Sequence, residues 1–161
     1  MTKVIGFWKV NETYGFLSQW YISNFTEDDI LFNNCEKYMM YKKALLFDPN
    51  YSNTILHENN PLKIKKMGRL IKNFNQEIWD NNKFKIIYKA NYFKFTQNKE
   101  LFKKLLDTKP FILAEASPLD RIYGIGMGPN NPNVQFINKW RGQNLLGKAL
   151  MDVRDIISNS I

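Results

Sequence analysis

Apolar side chains recur along this chain with two different periods, and the changes of period mark out its elements. The opening segment alternates through Val4, Gly6 and Trp8, the period of a strand. Regularity is lost between Tyr14 and Asp29, a turn-rich aromatic stretch containing Gly15-Phe16-Leu17-Ser18-Gln19-Trp20. Asn33 or Asn34 then stands where an amide side chain caps a helix, expected over residues 36–46. Asn60-Pro61 opens a second helix, because the N–H that proline lacks has no partner in a first turn anyway. That helix is expected to run to about Asn73. The clearest periodicity follows Asn75, with Trp79, Ile86, Ile87, Ala90 and Phe93 close to 3.6 residues per turn. A shorter helix over 99–108 and a buried strand over 110–115 come next. A loop rich in glycine and asparagine spans 117–133, and a last helix over 142–157 carries Leu145, Leu146, Leu150 and Val153 on one side. The expected architecture is α+β: one mostly helical domain over residues 1–161 with a small β-sheet.

Composition narrows the class. A chain of 161 residues is long enough for one domain and short for two. Hydrophobic residues make up 44% and aromatic residues 15%, enough to offset ordering entropy with a core, so disorder is excluded. No apolar run approaches the length of a membrane span, and the first apolar run is too short for a signal peptide. The single cysteine, Cys35, rules out an internal disulfide and fits a reducing compartment. The expectation is a cytoplasmic protein, or one of the host cytoplasm if the source is viral, without membrane partners. The net charge of +8 attracts phosphorylated ligands and nucleic acid. Lysine, asparagine and isoleucine are all encoded by AT-rich codons, however, and the lysines are scattered, so a solvated surface comes before a nucleic-acid track.

Few catalytic chemistries fit. The one histidine, His57, lies in the polar stretch Leu56-His57-Glu58-Asn59 and reads as surface. One histidine and one cysteine are too few ligands for a His/Cys metal site. Carboxylates, lysines, aromatics and a glycine loop remain. Glu36 and Lys43 lie two turns apart on one expected helix and share a face. Spacing alone favours a surface ion pair, but Tyr38, Met39, Met40 and Tyr41 imply that part of this helix is buried, where each group would shift the other's proton affinity. Gly124-Ile125-Gly126-Met127-Gly128 fails as a dinucleotide loop, because Pro129 and Asn-Pro turns follow it instead of a helix. It suits a backbone that approaches a ligand closely, with N–H groups for phosphate or ribose oxygens. Asp120, four residues ahead, either reaches a ligand or shapes the turn. Trp79 has a core position.

Taken together, these segments resemble the NADAR (YbiA-like) N-glycosidase family. The residues that carry the resemblance are Gly15-Phe16-Leu17-Ser18, Glu36-Lys37-Tyr38 through Lys43-Ala44, Met67-Gly68-Arg69, Trp79 with Lys83 and Ile87, and Lys94-Phe95. They continue with Leu113-Ala114-Glu115-Ala116-Ser117, Asp120 with Tyr123-Gly124-Ile125-Gly126, and Trp140-Arg141-Gly142-Gln143-Asn144-Leu145-Leu146-Gly147. Leu150-Met151 and Arg154 close the series, which is in family order and spans nearly the whole chain. Gln19, Lys37 and Tyr123 replace the asparagine, histidine and tryptophan common in the family, and Tyr123 keeps a ring.

The resemblance implies hydrolysis of the C–N bond between a phosphorylated or ADP-linked ribose and a base-like leaving group. Two substrate classes follow from it, ADP-ribosyl-guanine and early riboflavin-pathway intermediates, as small molecules or with ADP-ribosylated nucleic acid as the carrier. No metal and no cofactor are implied. The family's catalytic positions fall on Glu36, Lys43 and Asp120, and its aromatic platform on Trp79. Glu36 or Asp120 would face the anomeric carbon, where positive charge develops. Lys43 would act as an acid or as a Schiff-base nucleophile. Trp79 and Tyr123 would stack on the base, Arg69 with Gly124 and Gly126 would bind phosphate, and Ser18 and Asn144 would complete the substrate site, Asn144 also being placed to hold the loop. The rival reading is a non-catalytic sensor that binds ADP-ribose or a nucleotide.

Overall fold

The computed structural model describes residues 3–161. The chain forms two compact units, one of residues 22–98 and one of residues up to 21 together with 99–161.

Strand β1 (Val4–Phe7) belongs to the other unit, and the 22–98 unit opens with an antiparallel hairpin in which β2 (Phe25–Glu27) pairs with β3 (Ile30–Phe32), Phe25 opposite Phe32. Asp28 and Asp29 both take positive φ, 51° and 64°, the mirror-image turn that matches strand twist. The sequence showed no strand here, because each strand is three residues long and the turn lacks glycine. The hairpin rings Phe25 and Phe32 lie 5.9 and 5.1 Å from the Tyr38 ring of helix α1 (Cys35–Phe47). Asn34, not Asn33, caps α1, its side chain accepting the Lys37 N–H at 2.8 Å. A short helix α2 (Ser52–Leu56), unforeseen in the sequence, ends at the exposed His57.

Helix α3 (Pro61–Gly68) begins at the expected proline, with Asn60 capping it, but stops five residues before Asn73. The chain turns after Arg69, and Asn73 takes φ 60°, which no helix accommodates. Helix α4 (Gln76–Thr96) is capped by Asn75 and buries Trp79, Ile87, Ala90, Asn91, Lys94 and Phe95 on one stripe. That stripe continues the periodicity seen in the sequence, with a lysine and an asparagine inside it.

In the other unit, β1 (Val4–Phe7) runs parallel to β4 (Ile112–Glu115), Ile5 opposite Leu113. Helix α5 (Lys99–Leu106) and helix α6 (Leu145–Asn159) belong to the same unit. Val4, Ala114, Ala116, Ile125, Met127 and Val134 form a buried cluster against which Ile112 and Trp140 pack. Arg154 of α6 is buried and donates to Thr108 Oγ1 and Phe111 O at 2.9 and 2.8 Å, tying the helix to the turn before β4. The last helix starts at Leu145, three residues later than expected. Residues 141–144 are committed elsewhere: Arg141, Gln143 and Asn144 donate their N–H groups to the carbonyls of Ile125, Arg121 and Gly124. Among the described residues no helix is long and apolar enough to cross a membrane.

Candidate functional site

The 22–98 unit brings Glu36, Lys43 and Trp79 together. Glu36 sits in the first turn of α1, 5% exposed, where the helix N-terminus favours a carboxylate. Lys43, two turns on, is half-buried, and its ammonium lies 5.5 Å from the centre of the Trp79 ring and 4.7 Å from that of Phe74. It donates to Gly68 O, the last carbonyl of α3, at 3.4 Å. Burial pushes the proton affinity of Lys43 below that of an ordinary lysine, and the charge of Glu36 works in the opposite direction. The ring faces and the end of α3 also favour the charged form, so desolvation is the effect that wins.

Gly68 makes this seat possible. A Cβ there would stand 2.1 Å from Met40 Sδ, so another residue would require the tip of this buried methionine of α1 to shift. Arg69, the next residue, is exposed. Lys63, Lys65, Lys66 and Lys72 are exposed too, which makes five cations among residues 63–72 with no acidic residue between them. Lys37 is buried and donates to Asn59 Oδ1 at 3.0 Å.

The other unit carries Ser18, Asp120, Tyr123, Gly124, Gly126 and Asn144. Asp120 does shape the turn: its Oδ1 accepts the N–H groups of Ile122, Tyr123 and Gly124 at 3.0, 2.9 and 3.4 Å. Gly124 is crowded, since an added Cβ would meet Glu115 O at 2.8 Å and Asp120 O at 2.9 Å. Gly126 takes φ 72° and is buried against Arg121 and Arg141. Ser18 is buried, and its Oγ accepts the Trp20 N–H at 3.1 Å.

Asn144 has the most specific environment. It is 1% exposed and takes φ 55°, and its side chain makes no cap bond to α6. The amide instead reaches β4, accepting from Glu115 N at 3.0 Å and donating to Leu113 O at 2.9 Å. Ile112 and Ala116 donate towards β1, so the alternate residues 113 and 115 present their peptide groups to the opposite edge. On that edge Asn144 and the N–H of Ile125, which donates to Glu115 O at 2.9 Å, stand in for a third strand. Gly147 is what lets the amide in, because a Cβ there would lie 2.2 Å from Leu113 O and 2.3 Å from Asn144 Nδ2.

Two features of the 22–98 unit were not read from the sequence. Phe74 precedes the cap residue Asn75, the position from which an apolar side chain packs across a helix entry, and that spacing was visible. Lys94, fully buried on α4, was noted only as part of a pattern. Burial lowers its pKa to about 8, with the neighbouring Cys35 acting the other way. The Cys35 thiol is itself buried, 3.8 Å from Asn91 Oδ1, and pushed up to about 11.

The NADAR domain profile matches residues 6–158. N-glycosidase R617 of Acanthamoeba polyphaga mimivirus is 43% identical to this chain over 144 residues, covering 86% of it and 85% of R617. N-glycosidase YbiA of Escherichia coli is 28% identical over 152 residues, covering 94% of this chain and 87% of YbiA. The NMR structure of E. coli YbiA matches with a TM-score of 0.82 at 26% identity, over 99% of this chain and 87% of that one, so the expected mostly helical α+β fold is that of YbiA. The riboflavin biosynthesis protein PYRR, chloroplastic, of Zea mays is 25% identical over 99% of this chain and 26% of its own length.

Proposed function

This chain belongs to the NADAR domain family and is a hydrolase of N-glycosyl bonds, and from that premise we propose that it releases a base from a phosphorylated or ADP-linked ribose. The two candidate substrates are ADP-ribosyl-guanine, free or on nucleic acid, and an early riboflavin-pathway intermediate, the latter in keeping with the name of the maize relative. The observation that carries the reading is the half-buried Lys43 amine, held against Trp79 and Phe74 and on one helix with the buried Glu36. The exposed cations of residues 63–72 adjoin it through Gly68 and favour a phosphorylated substrate.

A lysine whose proton affinity is lowered by burial is suited to two steps. As a neutral amine it attacks the anomeric carbon while the C–N bond breaks and its electron pair leaves with the base, which takes up a proton. The protonated ring oxygen then departs as a hydroxyl, leaving an imine that water hydrolyses to the free sugar and the amine. As an ammonium it donates its proton to the departing base, and water adds to the anomeric carbon. Glu36 stabilises the positive charge on the sugar in either route. Asp120 is carried over from the family resemblance as a catalytic carboxylate, the alternative to Glu36 at the anomeric carbon, and Tyr123 is taken as a ring that stacks on the base.

Incubation with ADP-ribosyl-guanosine and with the ribosylamino-pyrimidine phosphate of riboflavin synthesis, followed by chromatography, identifies the base released. Release from neither compound refutes the proposed substrate class. Lys43→Ala is expected to lower turnover several hundredfold with the fold intact. Borohydride added during turnover traps the imine as a stable adduct on Lys43 if the amine is the nucleophile, and leaves the protein unmodified if it is the acid.

A further inference from the structure

Lys43 reaches two rings, and only Trp79 is explained by the core. Phe74 is 43% exposed, unusual for a ring whose centre lies 4.7 Å from a half-buried ammonium. Several separate features hold it there. Asn73, just before it, takes φ 60°, a conformation that costs a non-glycine residue about 1 kcal/mol and persists only where the surroundings require it. The Asn73 side chain donates to Phe47 O at 3.4 Å, and the Lys72 N–H donates to Asp48 Oδ2 at 3.2 Å. The Phe74 ring meets that of Phe47 edge-on at 5.3 Å. The 72–74 segment is thereby braced against the C-terminal end of α1, the helix that carries Lys43.

Phe74 and Trp79 also occupy the two positions, immediately before the helix cap and four residues into the helix, that form a hydrophobic staple at a helix entry. A plain staple needs only two apolar side chains. Here both of its positions carry aromatic rings, and the Lys43 amine lies over each. We infer that Phe74 is a positioning residue for the reaction, holding the Lys43 amine in the orientation it uses towards the substrate. The inference rests on the reading of Lys43 as the reacting group.

A ring face attracts an ammonium and an aliphatic side chain does not, so Phe74→Leu keeps the staple and removes the attraction. The other groups acting on the amine stay in place: Glu36 from α1, the Gly68 carbonyl from α3 and the Trp79 ring from α4. The acetylation rate of Lys43 against pH, followed by peptide mass spectrometry on the full chain, reads the amine without reference to turnover. In Phe74→Leu its midpoint is expected to fall by about half a pH unit, the ammonium having lost one ring. Turnover of whichever nucleoside the wild type cleaves falls about tenfold, with KM within about twofold, the mark of a misplaced group rather than a lost binding contact. Phe74→Tyr, which keeps the ring, restores both. An unchanged acetylation midpoint in Phe74→Leu overturns the inference whatever the activity does. A shifted midpoint with wild-type turnover also overturns it, because the ring would then act on the amine without serving the reaction. Should the wild type cleave neither compound, the proposed substrates fail, and the acetylation midpoint alone then decides whether Phe74 holds the amine, an unmoved midpoint overturning the inference.

Discussion

Replacing Asn144 by alanine removes both hydrogen bonds that close the outer edge of β4, with Glu115 N and with Leu113 O. Leu113 is fully buried and Asn144 is 1% exposed, so water does not readily take over. An unsatisfied buried peptide group costs about 1–3 kcal/mol, which puts the loss of the two at about 2–5 kcal/mol once partial relaxation is allowed. Alanine at φ 55° adds about 1 kcal/mol of backbone strain. For a chain of this size each kcal/mol corresponds to about 2–4 °C, so a total of about 3–6 kcal/mol should lower the melting temperature by roughly 6–24 °C.

Two further variants separate the contributions. Asn144→Gly loses the same hydrogen bonds but relieves the left-handed backbone, and it should be more stable than Asn144→Ala by about 1 kcal/mol. Asn144→Asp can still accept from Glu115 N but has no donor for Leu113 O, and it should be at least as unstable as the alanine variant because a charge is then buried against a carbonyl. Urea unfolding followed by circular dichroism gives all three values. Stability within 0.5 kcal/mol of wild type for Asn144→Ala, together with a KM raised about tenfold, would refute this accounting and make the amide a substrate ligand instead.

Two other expectations concern proton uptake and the second carboxylate. Lys94 has a folded pKa of about 8 against an unfolded 10.5, so above pH 8 the unfolded chain holds more protons and stability rises by about 1 kcal/mol between pH 8 and 9. Cys35 acts in the opposite sense, since its unfolded value of 9.0 lies below its folded value of about 11, and it takes stability away as pH rises from 9 to 11. The wild type should therefore level off above pH 9, while Cys35→Ala continues to gain; denaturant midpoints across this range test it, and parallel curves for the two proteins would count against the assignment. Asp120→Asn keeps an acceptor for the Ile122, Tyr123 and Gly124 N–H groups, so its melting temperature should stay within about 2 °C while turnover drops about a hundredfold. Wild-type turnover in Asp120→Asn would confine this carboxylate to the turn.

Elements with a long period or an unambiguous cap were legible in the sequence. Asn75 and the stripe from Trp79 to Phe93 specified α4, and Asn60-Pro61 specified the start of α3. The end of α3 was not legible, because Leu70 and Ile71 carry the apolar pattern past Gly68 although Asn73 lies in the left-handed region. The hairpin was hidden by strands too short for alternation to register and by an Asp-Asp turn in place of one with glycine. The start of α6 was misplaced for a different reason: residues 141–144 have the composition of a helix entry, but their N–H groups are taken by a loop some twenty residues earlier. A hydrogen bond of that range leaves no periodic trace.

The candidate site divides in the same way. Helical spacing put Glu36 and Lys43 on one face and Trp79 at a core position, the family resemblance made them one site, and the structure gathers them in one unit. What spacing did not supply was the cause of the lysine's altered proton affinity. That cause is local and cumulative: Gly68 lets α3 close on Met40, its carbonyl meets the amine, and a braced turn brings up Phe74. Together these groups leave the amine half-buried, and desolvation outweighs the influences that favour the ammonium. A surface ion pair with the same Glu36–Lys43 spacing would have the opposite balance, because the carboxylate would then hold the lysine above its ordinary value. The seat of the Lys43 amine over the Phe74 and Trp79 rings and beside the Gly68 carbonyl separates this lysine from one on a solvated helix face.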